Sequence, residues 1–284
     1  MDKLLEIIQT ILLLILMLFG GGEDAQQPIT TPDGSQIEVH FIDVGQADAA
    51  LVICDEEAML IDAGNVGDSQ LVYTYLADRE IDYLKYAVVT HAHEDHVGGM
   101  SGALEYAYAE TVFCPVTQYD SKAFSNFVKA VEKQGNTITV PQAGEIYLLG
   151  GAAVEILHCD PYAEDPNNTS IVLRIVHGDT AFLFTGDAEL EVEEKILEEG
   201  RVIDCTVLKA GHHGSSTSNS YRWVYEAWPT YAVISVGKDN TYGHPHKEVM
   251  SRFKDAKIEV LRTDKMGDIV CYGNGNELEF QTAR

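Results

Sequence analysis

Four residues able to hold a metal ion fall within six consecutive positions, His91, His93, Asp95 and His96, inside the stretch VVTHAHEDHVGG at residues 88–99. Imidazoles and a carboxylate are borderline-to-hard donors, suited to Zn, Fe or Mn. An isolated histidine is usually a packed or surface residue. Three beside an aspartate are costly to bury unless something compensates them. The run follows the apolar, β-prone residues 86–90 and precedes Gly98 and Gly99, which places it in the loop leaving a strand end.

Other polar groups recur where apolar runs stop. Asp187 closes TAFLFTGD, His212 and His213 open the GHHGS loop after VLKAG, Asp62 and Asn65 sit in IDAGN, and Asp43 ends HFIDV. An acid after an apolar run must be solvated, hydrogen-bonded or metal-bound. The division of labour this suggests is a two-ion site. His91 and His93 serve one ion, and Asp95 and His96 the other. Asp187 bridges them, because a carboxylate can hold cations ~3.5–4 Å apart. Chain neighbours rarely face one point, so His212 is expected to complete the second ion. His213 is left to orient a substrate oxygen or donate a proton. Asp95 counts as a catalytic group as well as a ligand, beside a water activated between the ions.

These groups need a scaffold of strands. IEVHFIDV, ALVIC and AMLIDAG read as strands, and residues 69–80 and 100–109 as helices. TVFCPV, EIYLLG, AVEILHC, SIVLRIV, TAFLFTGD, IDCTVLKAG and YAVISVG continue the β pattern, with IEVLRT, DIVCY and LEFQT at the end. Helices are expected at residues 121–135, 189–199, 221–227 and 246–256. Many strands with a few helices predict an α/β four-layer αββα sandwich, two mixed sheets with helices on the outer faces.

The composition is that of a globular chain, 45% hydrophobic over 284 residues, but 45 Asp+Glu against 19 Lys+Arg give a net charge of −26. No basic run offers an electrostatic footprint for nucleic acid. A nuclease would work against its own long-range field. The five cysteines are scattered, form no CxxC pair and read as core residues. Residues 1–22 read as a signal peptide or short membrane anchor, with attachment through the apolar residues 4–19. Residues 23–34 are a linker and 35–284 the catalytic domain, so the chain is expected outside the cytoplasmic membrane, secreted or anchored to its outer face.

The segment His91-Ala92-His93-Glu94-Asp95-His96 resembles the HxHxDH signature of the metallo-β-lactamase fold superfamily. More narrowly, HFIDVGQADAALV, LIDAG, LFTGDAE, VLKAGHHGSSTS, ISVGKDNTYGHP and LRTDKMGDIV are similar to the hydrolase domain of bacterial DNA-uptake competence proteins, without their channel part. The resemblance implies the metallo-β-lactamase sandwich and two divalent ions, Zn or Mn. The superfamily's third histidine for the first ion falls on Asn168, which implies a weak first site. His158 and His177 are poor substitutes, since both lie in apolar strand patterns.

Asp43 and Asp62 are cast as carboxylates that hold the ligand imidazoles. Ser215, Ser216, Ser218 and Asn240 are candidate substrate contacts, and His244 a phosphate contact or general acid. Serine- and asparagine-rich loops are as often plain turns and caps. The expected activity is a phosphodiesterase or nuclease acting on a phosphoester, DNA or a small phosphodiester. A lactam, lactone or thioester hydrolase on the same fold, and a non-catalytic surface binding module, are the alternatives. No protein partner can be inferred.

Overall fold

The computed structural model describes residues 31–284. The leader at residues 1–22 and the linker up to residue 30 lie outside the described residues. The described residues ahead of Ser35 already bond to the rest of the fold. Thr31 Oγ1 donates to the Gly151 carbonyl and accepts from Gly178 N–H, and Ser35 N–H closes a turn on Pro32.

The strands are β1 (Ile37–Phe41), β2 (Ala49–Cys54), β3 (Glu57–Ala63), β4 (Tyr83–Val88), β5 (Tyr108–Phe113), β6 (Ile138–Thr139), β7 (Ile146–Leu149) and β8 (Ala152–His158). They continue as β9 (Val172–His177), β10 (Thr180–Phe184), β11 (Val207–Lys209), β12 (Tyr231–Ile234), β13 (Glu259–Arg262), β14 (Ile269–Gly273) and β15 (Leu278–Thr282). The helices are α1 (Ser69–Ala77), α2 (Glu94–Val97), α3 (Met100–Tyr106), α4 (Lys122–Lys133), α5 (Leu190–Glu198), α6 (Tyr221–Ala227), α7 (Lys247–Asp255) and α8 (Thr263–Met266).

One sheet runs β15-β14-β1-β2-β3-β4-β5-β6 and the other β13-β12-β11-β10-β9-β8-β7. Alternation along each strand sorts its side chains into two layers. In β10, Phe182 and Phe184 enter the core between the sheets with Val39 and Phe41 of β1. Leu183, on the opposite face, packs under Val192, Ile196 and Trp223 from the helices over the second sheet. Leu51 and Leu60 meet Leu76, Met100, Phe124 and Phe127 on the outside of the first. The four-layer α/β sandwich expected from the sequence is therefore present.

Two boundaries shift. The helix expected over residues 100–109 ends at Tyr106. Ala107 turns extended, the Gln134 side chain donates to the Leu104 and Ala107 carbonyls, and β5 takes the remainder. The helix expected over residues 69–80 stops at Ala77, and Glu80 adopts a positive φ. No helix among the described residues is long and apolar enough to cross a membrane.

In each sheet a run of parallel strands delivers its loops to one end. β3, β4 and β5 run parallel, as do β10, β11, β12 and β13. Asp62, the His91–His96 loop, Asp187 and His212–His213 all lie at or just beyond the carboxyl ends of these strands. Open α/β sheets commonly bind ligands there.

Candidate metal centre

The loop after β4 is short because glycine lets it fold back. A Cβ on Gly99 would stand 2.0 Å from the Ala63 carbonyl oxygen, so α2 can approach β3 only with glycine there. Asp62, at the end of β3, accepts from Thr90 N–H and Thr90 Oγ, each at 2.7 Å, and its Oδ2 lies 2.8 Å from His96 Nδ1. This turns His96 Nε2 toward Asp187 Oδ1 at 3.3 Å. Asp62 therefore occupies the supporting position expected of it. Asp43 does not. It pairs with Arg284 at 3.0 Å and accepts from Gly45 N–H, because the β1 turn directs it to the surface.

Asp187 lies 2% exposed at the centre of the ligand candidates. Its Oδ2 is 3.9 Å from His91 Nε2, 3.5 Å from His212 Nε2 and 3.9 Å from His213 Nε2. Gly186, at φ 52°, makes the turn that aims it; a Cβ there would meet Thr90 at 2.9 Å. His91 and His93 form one flank, with Nε2 and Nδ1 3.1 Å apart. On the other flank, ligand atoms of Asp95, His96, Asp187 and His213 all lie within 4.8 Å of one another.

The GHHG turn brings both of its histidines toward Asp187 but buries them unequally. His212 and His213 both adopt left-handed backbone, with φ 50° and 53°, a strain of roughly 1–3 kcal/mol each. The effect is to splay them. His213 becomes 2% exposed, its Nε2 3.3 Å from Asp95 Oδ2. His212 stays at the rim, with Nδ1 3.1 Å from Thr217 Oγ1. Geometry thus puts His213 deep in the cluster with Asp95 and His96, and His212 at the mouth with its Nε2 still 3.5 Å from Asp187 Oδ2.

Asn168, expected to face the first ion, is turned to another task. Its Oδ1 accepts from Glu189 N–H at 3.0 Å and its carbonyl accepts from His158 Nε2 at 3.2 Å. That bond occupies His158. His177 sits 2.9 Å from Ser35 Oγ, beside the chain entry at Thr31. The neighbouring Asn167 is the one that lines the cavity, and its Oδ1 is buried without a hydrogen-bond partner among the described residues.

Most of the expected substrate contacts prove structural. Ser218 Oγ donates to the Ala188 carbonyl, Ser215 Oγ accepts from Thr217 N–H, and Ser216 is held by His246 Nδ1. Asn240 clamps the loop carrying His244, accepting from its N–H and donating to its carbonyl. These short side chains satisfy the backbone of tight turns, as Ser and Asn commonly do. His244 does face the cavity, its ring centre 5.7 Å from that of His212.

Two further residues belong to the site and were not singled out from the sequence, Asp48 and Lys209. Both are buried, with Lys209 Nζ 2.7 Å from Asp48 Oδ2, and Asp48 Oδ1 lies 3.1 Å from His213 Nδ1. The available signal was a lysine inside the apolar run VLKAG, since a lysine buried in a strand needs a partner.

Protonation in the metal-free protein follows from burial and neighbours. Burial drives His213 down, but Asp187 and Asp48 outweigh it and push it up to about 10. His96 is likewise opposed by burial and raised well above the usual histidine range by Asp187 and Asp62. Burial and the adjacent His96 hold His91 well below that range. His244 is lowered to about 4 by burial and by His213 and His212.

The donors fit divalent ions. His96 Nε2 and Asp187 Oδ1 are buried and close, yet lack hydrogen-bond geometry with any described residue. Such orphaned groups aimed at one point suit a shared cation. The cavity over them is about 320 Å³, rimmed by His93, Glu94, Asn167, His212, Tyr242 and His244, with no Lys or Arg in its lining.

The comparisons agree with this geometry. Residues 42–238, more than half of the chain, match the metallo-beta-lactamase superfamily. The chain belongs to that superfamily. It is 30% identical to ComE operon protein 3 of Bacillus subtilis (strain 168) over 83% of this chain and 33% of that protein. With Recombination protein 2 of Haemophilus influenzae it shares 31% over 87% of this chain and 30% of that one. With Competence protein ComA of Neisseria gonorrhoeae it shares 29% over 88% and 34%. The chain thus spans about a third of the length of these relatives. In fold it is similar to Igni18, a metallo hydrolase from Ignicoccus hospitalis KIN4/I, with TM-score 0.52 and 16% identity over 83% of this chain and 98% of that one. It is also similar to the metallo-beta-lactamase fold protein YhfI from Bacillus subtilis, with TM-score 0.50 and 15% identity over 81% and 97%.

Proposed function

We propose that the chain is a phosphodiesterase that hydrolyses a small phosphodiester or the end of a nucleic-acid strand outside the cytoplasmic membrane. The observation that carries this is Asp187, which stands between the His91–His93 pair and the Asp95, His96 and His213 cluster. Two divalent ions, Zn or Mn, held by these residues would lower the pKa of water and polarise a phosphoryl group. The relatives named for competence and recombination belong to processes that handle DNA, which favours a phosphodiester over a lactam or thioester.

Asp95, 32% exposed at its side chain, is the least buried of the clustered donors and faces the cavity, where it can accept a proton from an attacking water. His244 is neutral at pH 7, so it serves as a neutral donor to a phosphoryl oxygen rather than as a general acid. His212 at the rim orients the other side of the substrate. A lining without Lys or Arg in a chain of net charge −26 gives no track for a long polyanion, which is why a short phosphodiester is preferred.

The test is metal content of the full chain, with bis-p-nitrophenyl phosphate hydrolysis across added Mn, Zn and Mg. Near two ions per chain and turnover lost in Asp187→Ala support the reading. Metal bound without phosphodiester turnover overturns it.

A further inference from the structure

A second groove lies away from the metal centre. It measures about 810 Å³ and is lined by α6, α7 and the residues that follow each of them. On α6, Trp223, Val224 and Ala227 face the core, as an amphipathic helix requires. Its exposed face carries three aromatic rings beside Arg222 and Glu226. Tyr221, Tyr225 and Trp228 recur at i, i+4 and i+7, with exposures of 61%, 68% and 68%. Trp228 follows α6 in a left-handed conformation at φ 44°, with its ring 5.6 Å from that of Tyr225. Exposed aromatic stripes of this kind mark interaction surfaces.

Three features identify the occupant. The first is position. Trp228 also lines a cavity of about 360 Å³ with Gly178, and Gly178 N–H donates to Thr31 Oγ1. The described chain therefore begins beside this surface, and the sixteen residues at 4–19 that precede it are almost wholly apolar in sequence. The second is orientation. Trp228 and Gly178 lie before the amino ends of β12 and β10, whereas the metal centre lies past the carboxyl ends of those parallel strands. The third is chemistry. Arg222, Arg252 and Lys257 line the groove with one lining acid, Asp255, and Arg222 also pairs with Glu194 beside it, in a chain of net charge −26. Amphipathic Tyr and Trp rings with basic neighbours suit the level of lipid headgroups.

We propose that this face rests on a phospholipid bilayer, with Tyr221, Tyr225 and Trp228 at headgroup depth and the metal centre turned away from the membrane. The surface then works with the segment at residues 4–19. That segment tethers the chain, and the aromatic face sets its orientation. A site held facing away from the membrane remains open to soluble phosphodiesters.

The chain has two tryptophans, and one of them, Trp223, is 1% exposed. Trp228 is therefore a built-in reporter. Full-length protein is mixed with phosphatidylethanolamine–phosphatidylglycerol vesicles containing a brominated lipid, and flotation is followed alongside fluorescence. The expected result is a blue shift and loss of most Trp228 emission, absent in Trp228→Phe and reduced in Tyr225→Ser. Flotation with unchanged Trp228 emission overturns the proposal and leaves attachment to residues 4–19 alone, with a protein partner as the alternative cover. Failure to float overturns both tether and face. Phosphodiester turnover measured without vesicles tests the site independently of either result.

Discussion

Asp48 and His213 meet at the closed end of the metal centre, Oδ1 3.1 Å from Nδ1, with Lys209 Nζ 2.7 Å from the other carboxylate oxygen. His213 Nδ1 is also 3.1 Å from the Ser235 carbonyl. With Nδ1 engaged, Nε2 is the atom turned to Asp95 and Asp187, the tautomer that ligation requires. Lys209 keeps the Asp48 charge balanced where there is little water.

Asp48→Asn therefore removes both an imidazole anchor and the partner of a buried lysine. It should lower stability by about 3–5 kcal/mol and metal affinity by about 10–100-fold. Asp48→Asn with Lys209→Met should recover much of the stability but not the affinity. Thermal unfolding and metal titration separate the two effects, and full recovery of affinity in the double variant would disprove the positioning role.

The two adjacent histidines should behave unequally. His213→Ala should lose about one of the two metal ions and most turnover, while His212→Ala should keep its metal and lose turnover more modestly. Elemental analysis of both variants decides it. Equal metal loss in the two would contradict the splayed geometry.

The asparagine pair offers a similar contrast. Asn168→Ala deletes the acceptor for Glu189 N–H and should cost about 1 kcal/mol of stability with little change in metal content. Asn167→Ala removes a cavity-facing oxygen that has no hydrogen-bond partner among the described residues, so stability should hold while metal or substrate affinity falls. A loss of stability in Asn167→Ala without any change in affinity would refute this assignment.

Metal loading should be linked to pH. His96 and His213 are protonated at pH 7 in the metal-free protein, because neighbouring carboxylates raise both against the effect of burial. Each must become neutral to bind a cation, so loading releases about two protons and tightens as pH rises. The stability contribution of His213 has the opposite sign. Its folded pKa, about 10, lies above the ~6.5 of an unfolded histidine. That stabilisation is full below the unfolded value and fades as pH rises through the folded one. Calorimetric titration in buffers of different ionisation heat, and unfolding of metal-free protein from neutral to alkaline pH, report the two halves. Loading heats that do not vary with buffer would rule out the proton release.

Much of the architecture was legible because it is written locally. Phe182 and Phe184 alternate with Leu183, and Ser121 caps α4 by accepting from Phe124 N–H. The ligand cluster was legible for the same reason: His91, His93, Asp95 and His96 share one loop, and an apolar, β-prone run before a glycine pair places that loop at a sheet end. Asp187 was legible as the polar stop of an apolar strand.

The sequence by itself determined the layers of the sandwich, the presence of a metal-binding loop and the chemistry of its donors, since each depends on residue type and short-range spacing. Tertiary structure decided which of two neighbouring histidines turns inward and which of two neighbouring asparagines faces the cavity. It also decided that Asp43 leaves the site for Arg284 while Asp48 enters it with Lys209. Those outcomes rest on left-handed backbone at His212 and His213 and on pairings across distant strands. Local spacing carries no information about either, because their energies come from charges and carbonyls that only folding brings together.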